Sequence, residues 1–212
     1  MESRKVKTVS RIKPLSEGST PAMAMTISSI ERLPSMSWSM RADVSCYNEI
    51  TMKISPIKQH DDSACGPTTI QMILNYFKVP YTFKEIVKVS GYKKKGGLYN
   101  KDLVKVIEKF GLSVQEKANS TWAELLRLNK PNNVIVVSWM MKGYIGHFSV
   151  VEKVSKNFIE LADPYSGKII KIGRVIFMRL WMDYDDMWYP IKNTDIQLRW
   201  MCVVSKKKTR GR

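Results

Sequence analysis

Apolar residues recur at helical spacing in the part of the chain that begins near residue 65. Ile70, Ile73, Leu74 and Phe77 stand at i, i+3, i+4 and i+7 within residues 66–77, which predicts an amphipathic helix. Capping-box patterns and glycine or proline stops mark further helices. Those helices are predicted within 82–91, 100–111 (where Asn100 is the expected cap) and 121–131.

Alternation of apolar and polar positions then takes over and predicts strands. The predicted strands cover residues 112–117, 133–140, 147–153, 157–163, 167–172 and 197–204, with a short helix at 175–181. Most helices come first and most strands come later, with turns short enough for antiparallel pairing. This order predicts an α+β fold in which an N-terminal helical part packs on a C-terminal antiparallel sheet.

The chain divides by composition into three parts. Residues 1–52 are basic, rich in Ser and Met, and lack sustained periodicity, so they are predicted to form a largely flexible extension. Residues 53–205 carry the periodic segments and are predicted to form one domain. Residues 206–212 form a basic tail.

Cys65 stands where the predicted first helix begins. A free thiol keeps its proton up to a pKa of about 8.5, and the thiolate is the nucleophile. Unpaired N–H groups and the macrodipole at a helix N-terminus favour an anion. Gly66, next to the thiol, is expected to leave room for a substrate backbone.

His147 and Asp163 are predicted to meet across a hairpin. His147 opens an alternating strand, and Asp163 ends the next apolar run before Pro164. Antiparallel pairing of residues 147–153 with 157–162 would place Asp163 opposite His147. A carboxylate there can hold the imidazole in the tautomer that a general base requires.

Gln59 lies six residues before Cys65 in a polar loop. Attack on a carbonyl creates an oxyanion, which needs hydrogen-bond donors already in place. The Gln59 side-chain amide and the Cys65 backbone N–H are the predicted donors.

These segments together resemble the peptidase C39 family, and more closely its C39-like branch of stand-alone domains. The matching motifs are Gln59 before Cys65-Gly66-Pro67, the Gly146-His147-Phe148 strand and the Asp163-Pro164 turn. The resemblance covers roughly residues 53 to 190 and implies a papain-like fold. It also implies that Cys65 is the nucleophile, His147 the base, Asp163 the orienting residue and Gln59 the oxyanion donor. Bacteriocin-exporter members usually have Asp directly before the nucleophile, whereas this chain has Ala64.

The predicted function is therefore that of a cysteine peptidase acting on a peptide or protein substrate. Two alternatives keep the fold: a papain-like acyltransferase of the phytochelatin synthase-like kind, and a non-catalytic peptide-binding module. His60 is a rival base. Asp61 and Asp62 are expected to be solvated or to cap the loop, and Asp163 has capping of its own turn as an alternative role.

Charge and cysteine content limit the classes of binding partner and cofactor that the sequence predicts. The net charge of +16 and the tail Lys206–Arg212 attract nucleic acid or anionic surfaces non-specifically. No base-reading motif accompanies the charge, so specific nucleic-acid binding is not predicted. Cys46, Cys65 and Cys202 lack CxxC spacing, and neither a metal nor a cofactor is expected. Without an apolar run near eighteen residues, no membrane span is predicted, and a cytoplasmic location is expected.

Overall fold

The architecture was analysed in a computed structural model of the chain, which describes residues 50–92, 96–184 and 190–207. The predicted extension therefore lies almost entirely outside the described residues, as do residues 208–212 of the basic tail. Strand pairing continues to Lys206, one residue into the predicted tail.

Five α-helices precede or flank the strands in the described residues. They are α1 (Cys65–Phe77), α2 (Phe83–Ser90), α3 (Asn100–Lys109), α4 (Trp122–Leu128) and α5 (Arg174–Leu180). The two predicted capping boxes are present, with Thr82 reciprocally bonded to Glu85 and Thr121 to Glu124. Asn100 is not the cap of α3, because Tyr99 holds that position and the Asn100 amide instead donates to Gln197.

Eight strands complete the described fold. They are β1 (Leu112–Lys117), β2 (Val134–Met141), β3 (Ile145–Val154), β4 (Phe158–Asp163), β5 (Lys168–Gly173), β6 (Met182–Tyr184), β7 (Ile196–Leu198) and β8 (Met201–Lys206). Six form one antiparallel sheet in the order β1-β8-β2-β3-β4-β5, and β6 pairs with β7. The single strand predicted at 197–204 is thus two strands in different sheets, separated at Arg199, which has a positive φ of 49°.

The six-stranded sheet is covered on both faces. On one face, α1, α2 and α3 pack their apolar sides against alternate residues of the central strands, among them Val136, Phe148 and Val150. On the other face, α4 and α5 pack against the intervening residues, among them Val137 and Val151. This explains why β2 is buried along its whole length, as a continuous apolar strand requires. The predicted α+β architecture is confirmed.

Strand β3 continues past the end of β4 and leaves room for another segment. β3 pairs with β2 as far as Ile145, but its pairing with β4 starts at Val150. The segment before α1 lies next to the end of β4, because the Gln59 N–H donates to the Pro164 carbonyl at 2.7 Å. The loop that carries Gln59 is thereby attached beside the turn that follows Asp163.

A buried carboxylate fixes the start of that segment. The register of β3 and β4 shifts between Val151 and Lys153, which makes Glu152 a bulge residue, and bulges re-aim side chains. The Glu152 carboxylate accepts the N–H groups of Lys53 (2.8 Å) and Ile54 (2.7 Å). Its own carbonyl accepts the N–H of Met52.

We predict that Glu152→Ala destabilises the protein by roughly 2–4 kcal/mol, because two backbone donors lose their acceptor. Urea unfolding monitored by circular dichroism measures the change. Glu160→Ala on β4 is the matched control, since Glu160 is only half-buried, and it is expected to change stability by about 0.5 kcal/mol or less. Equal effects of the two substitutions would contradict this role for Glu152.

Candidate active site

The first turn of α1 presents Cys65 at the end of the helix that carries unpaired N–H groups. The helix begins at Cys65 itself, after Ala64, and its first backbone bond runs from the Thr68 N–H to the Ala64 carbonyl. The Cys65 and Gly66 N–H groups therefore precede the intrahelical ladder. Cys65 is a free cysteine. The residue is buried but keeps 8 % of its surface exposed to solvent.

His147 and Asp163 form a buried pair next to this thiol. The Nε2 atom of His147 lies 2.6 Å from Oδ1 of Asp163, and the residues are 3 % and 2 % exposed. The register of Val150 with Ala162, continued by one residue, sets Asp163 beside Ser149 and diagonal to His147. Asp163 is therefore not directly opposite His147, but both side chains stand on the same face and meet there.

The Cys65 thiol also interacts with the imidazole and contributes to its pKa. Burial acts to lower the pKa of His147, but hydrogen bonds with Asp163 and Cys65 and the charges of both outweigh it. The pKa of His147 is raised from 6.5 to about 9. The three residues predicted from sequence to form a triad are thus brought together.

Asp163 has a second set of contacts in its own turn. Its Oδ2 accepts the Ser166 N–H at 2.9 Å, and Oδ1 lies 3.4 Å from the Tyr165 nitrogen. Burial acts to raise the pKa of Asp163, but hydrogen bonds with His147 and Ser166 hold the pKa of this carboxyl below its ordinary value. Capping of the turn and contact with the imidazole are therefore compatible roles.

Trp139 covers the buried pair from the neighbouring strand. It is directly opposite His147 in the β2–β3 register, and its ring meets the imidazole edge to face, with the centroids 5.9 Å apart. The indole N–H donates to the Ser149 hydroxyl at 3.1 Å, which fixes the ring plane. A tryptophan in a buried apolar strand is usually core, and only the pairing register shows that this one packs on the histidine.

Both glycines of the site lie where an added Cβ would meet a neighbouring side chain. A Cβ on Gly66 would lie 2.8 Å from Cβ of Leu98, and a Cβ on Gly146 would lie 2.8 Å from Oδ1 of Asp183. The space beside Gly66 is thus filled by Leu98, which differs from the expectation that it serves substrate approach. Asp183 was not identified from the sequence, because a carboxylate in a short strand carries no local signal.

Gln59 lies in the loop ahead of α1, and its amide is held by that loop. The Nε2 atom donates to the Asp61 carbonyl at 2.8 Å, while Oε1 is buried with no hydrogen-bond partner among the described residues. Two oxygens at that distance would repel, so the contact identifies which end of the amide is nitrogen.

His60, the rival base, has its contacts with residues other than Cys65, His147 and Asp163. Its ring packs edge to face on Phe83, with centroids 4.9 Å apart, and Nε2 lies 3.0 Å from Oδ2 of Asp61. Nearly half of its side chain is exposed. Its contacts are thus with a surface loop and not with Cys65.

Within the described residues, no group of three or more His, Cys, Asp or Glu side chains could hold a metal ion. No helix in those same stretches is both long enough and apolar enough to cross a bilayer.

Comparison with known structures identifies the same fold. The peptidase domain of Streptococcus ComA, a bi-functional ABC transporter involved in a quorum-sensing pathway, aligns over 73 % of this chain and 99 % of its own length, at 18 % identity and a TM-score of 0.56. A double-glycine-motif protease from an AMS/PCAT transporter, solved with its leader peptide, aligns over 74 % and 95 %, at 18 % identity and a TM-score of 0.55.

A C39-like peptidase from Bacillus anthracis aligns over 76 % of this chain and all of its own length, at 13 % identity and a TM-score of 0.58. Among curated proteins, none matches this chain. The model of the peptidase C39 family matches residues 53–185, which is more than half of the sequence. Because that match covers the domain whose fold the solved structures share, the protein belongs to the peptidase C39 family and has a papain-like cysteine peptidase domain.

Proposed function

We propose that this protein is a cysteine peptidase that hydrolyses a peptide bond through Cys65, His147 and Asp163. The observation that carries the proposal is a buried imidazole that is held by a carboxylate and interacts with the thiol. Its Nε2 is hydrogen-bonded to Asp163 at 2.6 Å, and the Cys65 thiol contributes to the raised pKa of the ring. With Nε2 occupied, Nδ1 is the nitrogen available to the sulfur.

In this proposal the resting site is an ion pair of thiolate and imidazolium. The raised pKa of His147, about 9, supports a protonated ring at neutral pH. Asp163 is charged and shares a dry hydrogen bond with that ring, which favours the imidazolium. The N-terminal end of α1 favours the thiolate.

The reaction would proceed by acyl transfer to sulfur. The Cys65 thiolate attacks the peptide carbonyl, and the carbonyl oxygen becomes an oxyanion held by the Cys65 N–H and the Gln59 amide. His147 gives its proton to the leaving amine as the C–N bond breaks, which leaves a thioester. His147 then takes a proton from water, the hydroxide attacks the thioester, and the released thiolate again pairs with the imidazolium.

Trp139 and the neighbouring strands keep the pair of His147 and Asp163 dry. Low exposure strengthens their hydrogen bond and keeps the imidazole oriented throughout both half-reactions. A peptide substrate agrees with the solved AMS/PCAT relative, which holds a leader peptide. A fluorogenic peptide amide ending in Gly-Gly is therefore a rational first probe.

We predict that Cys65→Ala and His147→Ala each lower kcat for this probe by roughly 10³-fold or more, because each removes a reacting group. Asp163→Asn is expected to be less severe than the other two, since it removes the orienting charge and leaves both reacting groups in place. Initial rates from released fluorophore measure all three. Product analysis with and without an added amine distinguishes hydrolysis from acyl transfer.

Alkylation by iodoacetamide supplies an independent readout at the sulfur. Cys65 should react faster in the wild type than in His147→Ala near neutral pH, while the fully buried Cys202 serves as the slow internal control. Hydrolysis that persists in Cys65→Ala would refute the proposal, as would a Cys65 alkylation rate that His147→Ala leaves unchanged.

The pKa of His147 also predicts how stability depends on pH. This pKa is higher in the folded protein (about 9) than its ordinary 6.5, so the folded state binds the proton more tightly. The resulting stabilisation is complete below pH 6.5 and is lost as the pH rises through 9. The thermal midpoint of the wild type should therefore fall more between pH 6.5 and 9.5 than that of His147→Gln. If the thermal midpoints of the two proteins changed in parallel with pH, the raised pKa of His147 would be contradicted.

A further inference from the structure

Asp61 is the point where the contacts of the Gln59 loop converge. Its backbone carbonyl accepts the Gln59 Nε2 at 2.8 Å and the Ala64 N–H at 3.2 Å. One oxygen thus joins the proposed oxyanion donor to the residue directly before the nucleophile. The side chain of Gln59 is not free to rotate as long as this carbonyl stays in place.

The Asp61 side chain in turn holds the carbonyl in place. Its Oδ1 accepts the Ser63 N–H at 2.9 Å and the Tyr92 hydroxyl, and Oδ2 lies 3.0 Å from His60 Nε2. The first contact closes a tight turn inside the loop. The Tyr92 contact links the loop to a different segment, 31 residues further along the chain.

Tyr92 is suited to be a permanent donor to this carboxylate. Burial, the hydrogen bond with Asp61 and the nearby charges of Asp61 and Cys65 raise the pKa of Tyr92 above its usual range. The phenol is therefore protonated at neutral pH and can donate to the carboxylate.

The negative charge of the Asp61 carboxylate excludes a role for this residue in activating the Cys65 sulfur. A carboxylate close to a thiol opposes formation of the thiolate, so the contacts of Asp61 need another explanation. Its exposed neighbour Asp62 makes no comparable set of contacts in the described structure. The difference between the two adjacent aspartates is the hydrogen bonding that converges on Asp61.

We propose that Asp61, supported by Tyr92, is a positioning residue that fixes the Gln59 amide for oxyanion stabilisation. This inference rests on the proposed function and names residues outside the triad. Stabilisation of an oxyanion depends on donors that are in place before the charge develops. The Gln59 amide has two N–H bonds, so the bond to the Asp61 carbonyl uses one of them and leaves the other for the oxyanion.

The experiment compares Asp61→Ala with the matched control Asp62→Ala on the Gly-Gly peptide amide. Asp61→Ala should lower kcat by roughly 10- to 100-fold with little change in KM, because a displaced donor weakens only the transition state. Tyr92→Phe should give a smaller loss of the same kind. Asp61→Asn keeps one acceptor oxygen, which can take the place of Oδ1 toward Ser63 and Tyr92, and should recover most of kcat. Asp62→Ala should retain wild-type kinetics.

A double-mutant cycle tests whether Asp61 acts through Gln59. In the Gln59→Ala background, Asp61→Ala should cause less than a twofold further loss, because the group it orients is already absent. Independent, multiplying losses from the two substitutions would overturn the inference. Thermal midpoints of every variant ensure that rates are compared among folded proteins.

Alkylation by iodoacetamide distinguishes an effect on oxyanion stabilisation from an effect on the thiol, because alkylation of the sulfur forms no oxyanion. Cys65 should be alkylated at the wild-type rate in Asp61→Ala, even though hydrolysis is slowed. An equal loss of alkylation and hydrolysis would overturn the inference, because Asp61 would then act on the sulfur or on the fold. Failure of the proposed function has a different signature, namely hydrolysis that survives Cys65→Ala.

Discussion

The packing of α1 against the centre of the sheet is the contact on which the other features depend. The apolar side of α1, which includes Ile70, Ile73 and Leu74, is fully buried against the face of the sheet that carries Phe148 and Val150. Burying three such side chains contributes on the order of 5–9 kcal/mol. Because Phe148 follows His147 in the chain, the contact that stabilises the core also sets the distance between the N-terminal end of α1 and the imidazole.

Polar contacts then fix the positions of the side chains and the loop that apolar packing brings together. The sheet register places Asp163 diagonal to His147, and the dry surroundings make their hydrogen bond strong. Glu152 and the Pro164 carbonyl attach the chain before α1 to the same two strands. The loop that carries Gln59 is thus anchored to the strands that carry His147 and Asp163, and the candidate site is assembled from a rigid sheet and one helix end.

The sequence predicted the helices, most strands and the candidate triad because these features have local signals. Helical spacing, capping boxes and alternation are visible in a short window, and the two capping boxes at Thr82 and Thr121 are present in the structure. Errors arose where a long-range contact overrides the local pattern. Asn100 bonds Gln197 instead of capping α3, and the space beside Gly66 is filled by Leu98, a residue more than thirty positions away.

By itself, the sequence determined which residue types are present for thiol chemistry and which segments carry them, since a nucleophile at a helix start and a histidine on a strand are local properties. Only the tertiary structure decided which nitrogen of His147 faces Asp163, that Trp139 packs on the ring, and that Tyr92 bonds Asp61 in the Gln59 loop. The first and third contacts join residues 16 and 31 positions apart, and the second depends on strand register. They follow from how the apolar faces pack, which no short stretch of sequence specifies.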